Sequence, residues 1–170
     1  KNRIKYCQFL KTELPQRLTN RINDLNNLPY NLSSNNNVKK VQNLYLNSLN
    51  SIINHTNTYN SANVNSFINC LKNIKENHNN VKDDIGVAIK QTKIYNTNQE
   101  ETINNILDKF YTSRISIRVL ISHAIELQRN SSIINSNCRP YYVFQQVINN
   151  LNYITNCLYG ITLDYQYFGN

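Results

Sequence analysis

Apolar residues recur at three- and four-residue spacing along almost the whole chain, and no convincing run alternates with period two. The pattern predicts an all-α domain. Helices are expected over about 4–27, with a bend at Pro15, and over about 36–55, 62–94, 98–129 and 139–159. The breaks fall at Leu28-Pro29 and at 33–37, 57–62, 95–98 and 130–140, all rich in turn formers. Short connections between long helices favour antiparallel neighbours, so the expected architecture is an antiparallel four-helix bundle with an additional N-terminal helical segment.

Helical wheels of the second, third and fourth helices locate their apolar faces. Val38, Val41, Leu44 and Ile52 define the second, with Tyr45 and Ser48 among them. In the third the stripe is Val64, Phe67, Leu71, Ile74, Val81, Ile85 and Ile89, with His78 near its centre and Lys75 at its border. The fourth stripe runs through Ile103, Ile106, Leu107, Phe110, Ile117, Ile121 and Ala124. Arg114 falls inside it, Ser113 and Arg118 lie at its edges, and His123 is nearly opposite.

Composition changes this picture little. The 170 residues suit one well-filled core, so 1–170 is read as a single domain or a piece of a longer protein, and the absence of methionine even at position 1 favours the piece. A net charge of +8 is compatible with an anionic partner, but the basic residues are scattered and supply no clustered nucleic-acid-binding face. The 34 asparagines interrupt the apolar pattern without destroying it; being poor helix formers, they leave the helices dependent on packing. Cys7, Cys70, Cys138 and Cys157 match no zinc spacing with the three histidines and are expected as buried free thiols. No apolar run approaches the roughly 20 residues of a membrane span, and no signal peptide is visible.

The inward polar groups do change it. A guanidinium taken out of water costs on the order of several kcal/mol unless an anion or strong acceptors meet it, and these three stripes contain no acidic residue. Two readings remain open. One is a closed hydrogen-bond network of Tyr45, His78 and Arg114 with backbone carbonyls and water. The other is a pocket between helices whose missing anion is a small carboxylate ligand.

Several motifs bear on the choice. FYTSRISIR at Phe110 to Arg118 resembles the signature helix of the mitochondrial pyruvate dehydrogenase kinases and their branched-chain α-ketoacid dehydrogenase kinase relatives. FLKTELPQRL at Phe9 to Leu18, followed by Leu28-Pro29, resembles the first-helix motif of that family. LYLNSL from Leu44, NHNNV from Asn77 and SNC from Ser136 follow in the family's order.

The resemblance implies the N-terminal regulatory domain of a mitochondrial-matrix protein-serine kinase. Such kinases phosphorylate and inactivate the E1 component of an α-ketoacid dehydrogenase complex, here pyruvate dehydrogenase in preference to the branched-chain complex. A non-catalytic E2-binding helical module is the alternative. The ATP-binding domain is expected to be absent from this chain: ELQRN at Glu126 to Asn130 mimics a magnesium-holding spacing only by accident. Hence no catalytic residue, cofactor or metal is assigned here, and ATP and Mg are expected in the full-length protein, itself expected to be a homodimer.

By the same resemblance a pyruvate-like effector is lined by Leu18, Tyr45, Ser48, Ile74, His78, Ser113, Arg114, Ile117, Arg118 and Ile121, with Lys75 where the family often has Arg. Lysine keeps the charge but loses the planar fork. Phe9 corresponds to a residue of the slot that receives the lipoyl domain of E2, or else is a core aromatic. His123 is expected on the surface or between domains.

Overall fold

The computed structural model describes residues 2–56, 60–92, 96–129 and 134–168, and it divides after residue 133 into two compact units. The first contains α1 (Asn2–Asn26), a 3₁₀ turn at Leu32–Ser34, α2 (Asn36–Ile53), α3 (Ser61–Asn77), α4 (Val81–Gln91) and α5 (Thr97–Gln128). The asparagines that weaken helix interiors start helices well. Asn35, Asn60 and Asn96 are the N-caps of α2, α3 and α5, and their side-chain oxygens accept from the amides of Asn37, Asn63 and Gln99. After α1 the chain reverses through Tyr30 and Asn31, both in the left-handed region (φ 56° and 62°).

Cross-links between helices fix their directions. Lys11 near the start of α1 donates to the carbonyl of His55 past the end of α2, and Lys40 early in α2 pairs with Asp84 of α4 at 2.8 Å. Tyr6 donates to the Leu120 carbonyl, Arg17 to the Ser116 hydroxyl and Arg21 to the Lys109 carbonyl, so α1 and α5 also run in opposite directions. Lys72 reaching Gln128 and Lys75 reaching Ser122 show the same for α3 and α5. Unit 1 is therefore an antiparallel helical bundle, as expected, but the N-terminal segment is one of its four rods instead of an addition to them, and the helix expected over 139–159 belongs to the second unit.

Two expectations need correcting. The helix expected over 62–94 is divided at His78 to Asn80 into α3 and α4, because three poor helix formers in a row coincide with side-chain partners for the last carbonyls of α3. Of the four thiols, Cys7 is buried and Cys70 half-buried, but Cys138 and Cys157 are exposed; all four are free. Helix α1 continues through Pro15. The parts of the expected breaks at 57–59, 95 and 130–133, and the expected helical residues 93 and 94, lie outside the described residues.

The second unit holds α6 (Pro140–Tyr159). Pro140 opens it at a position where no amide donor is needed, and Gly160 closes it at φ 67°. The segment beyond folds back along the helix: the Leu163 amide donates to Asn152 at 2.8 Å, and Tyr167 and Tyr165 meet Tyr141 and Phe144 edge-on. Among the described residues no helix is long and apolar enough to cross a membrane, and no group of His, Cys, Asp and Glu could hold a metal ion.

Candidate functional site

The buried residues of unit 1 are apolar apart from Arg21, Ser48 and His78, and the last two lie at the level of the bundle where α2, the α3–α4 break and α5 meet. Tyr45 and Ser48 project from α2 one turn apart, and both are buried. Ser48 donates to the Leu44 carbonyl at 2.9 Å, which leaves its oxygen to accept from His78 Nε2 at 2.8 Å and fixes the ring's tautomer. The Tyr45 ring lies 4.4 Å from the His78 ring and 5.7 Å from that of Phe110.

Arginines of α5 close the other side. Arg114 Nη2 donates to the His78 carbonyl at 2.7 Å; Arg118 donates to the Lys75 carbonyl at 3.0 Å and to Asn79 Oδ1 at 3.1 Å. These acceptors belong to the end of α3 and the break after it, so the two guanidiniums act as C-terminal caps supplied from a neighbouring helix. Lys75 Nζ meets the Ser122 hydroxyl at 2.8 Å, and Ser122 in turn donates to the Arg118 carbonyl.

Burial and positive charge set the protonation states. Burial, reinforced by Arg114 and Arg118, lowers the His78 pKa to about 4, so the ring is neutral at ordinary pH. Burial pushes the Tyr45 hydroxyl up to about 12, opposed by Arg114, Arg21 and Arg118, so it stays protonated and able to donate. Burial and then Arg114 pull Arg118 below its ordinary value.

The network does not close. Among the described residues, Tyr45 Oη and Arg114 Nε are both buried without a hydrogen-bond partner, as are Arg21 Nε and Asp24 Oδ2. An orphaned buried polar atom costs roughly 1–3 kcal/mol. A guanidinium, a phenolic hydroxyl and a neutral imidazole thus lie at one level of the bundle among aliphatic side chains.

The structure gathers most of the residues singled out from the sequence. Tyr45, Ser48, His78 and Arg114 are directly linked. Leu18, Ile74, Ile117 and Ile121 are buried in the same core; Lys75 and Arg118 join through α3; Ser113 is half-buried on α5. Phe9 is 48% exposed, which removes the core-aromatic reading, and it lies 5.9 Å from the Tyr6 ring. His123 is half-buried, its ring 4.6 Å from Tyr6.

Sequence reasoning missed Arg21. It continues the buried stripe Cys7, Leu10, Leu14, Leu18, Leu25 of α1, where an aliphatic residue would be expected, and that spacing was the signal that could have found it.

Two comparisons with known proteins bear on the site. A family model described as mitochondrial branched-chain alpha-ketoacid dehydrogenase kinase matches residues 1–146. The mitochondrial [pyruvate dehydrogenase (acetyl-transferring)] kinase of Arabidopsis thaliana is 36% identical over 128 residues, covering 75% of this chain and 35% of that protein. Isozyme 3 of the same kinase from Mus musculus is 34% identical over 119 residues, covering 67% and 29%. The chain thus spans about a third of the length of the curated relatives it matches.

Proposed function

Because the chain belongs to the mitochondrial branched-chain α-ketoacid dehydrogenase kinase family, corresponding to its N-terminal helical domain, we propose that it is the regulatory and docking domain of a mitochondrial-matrix protein-serine kinase. Its target is the E1 component of pyruvate dehydrogenase, favoured over the branched-chain complex because the similar proteins are named pyruvate dehydrogenase kinases. ATP and Mg belong to the catalytic part of the full-length homodimer. The exposed Phe9 contributes to the surface that receives the lipoyl-bearing E2 component.

The interior of the bundle binds a small α-keto acid effector. One observation carries this reading: Tyr45 Oη of α2 and Arg114 Nε of α5 are buried and unpartnered among the described residues. Arg114 supplies a charge-assisted bond to the carboxylate, Tyr45 a second donor, and His78, held neutral by burial, presents no competing cation. Ile74, Ile117 and Ile121 exclude water from a ligand of only a few atoms.

Thermal-shift titration of the chain with pyruvate and with dichloroacetate tests the reading. Both should raise the unfolding temperature of the wild type, and Arg114→Ala should abolish the response. A wild type indifferent to both at millimolar concentration would sink it.

A further inference from the structure

The seam between α3 and the second half of α5 opens into a cavity of about 370 Å³. Four cations line it, Lys72, Lys75, Arg118 and Arg129, together with the carboxylates Glu76 and Glu126, the Asn79 amide and Ile125. Tyr45, Ser48, His78 and Arg114 do not belong to its lining. Lys75 and Arg118, grouped with the interior by family resemblance, therefore also face a cavity of their own.

Its charges do not balance. Arg129 and Glu126 pair with each other at 3.4 Å. The other three cations are half-buried and bonded only to neutral acceptors: Lys72 to Gln128 Oε1 at 3.0 Å, Lys75 to the Ser122 hydroxyl at 2.8 Å, and Arg118 to the Lys75 carbonyl and Asn79 Oδ1. Against them stands one carboxylate, Glu76, which is exposed and forms no ion pair among the described residues. The links also hold the cations in place. Arg118 bonds the backbone of Lys75, whose ammonium meets Ser122, and Ser122 returns to the Arg118 carbonyl at 2.7 Å. Like charges fixed in a partly dry seam repel, and a shared anion relieves them. Donors remain for it, because a lysine ammonium has three N–H groups and a guanidinium five, of which these bonds use one and two. A surplus of two positive charges suits a dianion better than a monocarboxylate, and a phosphate group is close to dianionic at neutral pH.

We propose that this cavity is an anion site separate from the interior one, in which Lys72, Lys75 and Arg118 hold a phosphate group, carried by inorganic phosphate or by a small phosphate monoester. The site does not depend on the effector reading above.

Phosphorus NMR of inorganic phosphate and of glycerol phosphate, titrated with the whole chain at constant ionic strength, tests the site. Both signals should broaden saturably, and acetate at equal concentration should not reverse the effect. The tighter ligand of the two identifies the source of the phosphate group, and either order supports the site. Lys72→Gln and Lys75→Gln should each weaken binding about tenfold, the worth of one charge-assisted hydrogen bond. Lys39→Gln removes the same charge from α2, beside a different cavity, and should leave binding unchanged. All three positions are at least half-exposed to solvent, and Lys39 controls for any general effect of lost charge. Equal weakening by Lys39→Gln would reduce the effect to diffuse attraction and overturn the proposal. So would unaltered affinity in both Lys72→Gln and Lys75→Gln, or a wild type that broadens neither signal.

Discussion

Arg114 of α5 donates to the main-chain carbonyl of His78, 2.7 Å away at the end of α3. A side chain suited to holding an anion thus also holds a helix terminus in place. Arg118 engages both of its terminal nitrogens, whereas Arg114 Nε has no hydrogen-bond partner among the described residues.

Arg114→Ala should cost the ligand-free domain about 1 kcal/mol, the usual worth of a hydrogen bond, because the lost cap is partly offset by removal of an incompletely paired guanidinium. Urea unfolding measures the loss. Hydrogen exchange should locate it at the amides around the α3–α4 break, leaving the middle of α2 unchanged.

Tyr45→Phe removes a hydroxyl that no described residue accepts from or donates to, while keeping the ring against His78 and Phe110. The variant should be as stable as the wild type, or more stable by about 1 kcal/mol. Its response to pyruvate in thermal shift should nevertheless fall. A clear loss of stability would show that the hydroxyl is held by an internal partner and would count against the pocket.

The His78 pKa falls to about 4 from an unfolded value of 6.5, so the unfolded chain binds the extra proton first as pH drops. Its contribution is complete above pH 6.5, declines as pH falls towards 4 and levels off below. The loss is at most about 3 kcal/mol. His78→Gln, whose amide can still donate to Ser48, should flatten this part of the profile. Carboxylates titrate at the lower end, so the difference between wild type and variant is the quantity to follow in denaturation between pH 7 and 4.

Phe9→Ala should leave stability within about 0.5 kcal/mol, since the ring is about half exposed already. Retention of the chain on a column bearing a lipoylated E2 domain should drop severalfold. Unchanged retention would assign the E2 contact to another surface.

The four rods and most of the core were legible in the chain because burial leaves a periodic trace: most buried residues of α2, α3, α4 and α5 lie on the expected stripes, although Ile68, Ala88 and Ile125 are buried off them and Leu44, Ile89 and Ile106 on them are only half-buried. The same periodicity is enough to turn Arg114 and His78 inward. What spacing cannot express is which backbone atom a side chain will find. That the third rod breaks at His78 to Asn80, and that Arg114 and Arg118 cap the end of α3, depends on helices distant in sequence arriving at one level of the bundle. Arg21 shows the same limit from the other side. Its position on the α1 stripe and its i,i+3 spacing from Asp24 were there to be read, but its hold on the Lys109 carbonyl exists only once α1 lies against α5. Sequence determines which side chains leave water; tertiary packing decides which of their polar atoms are met, because a hydrogen bond requires an acceptor within about 3 Å in the right direction, a condition set by the juxtaposition of separate helices.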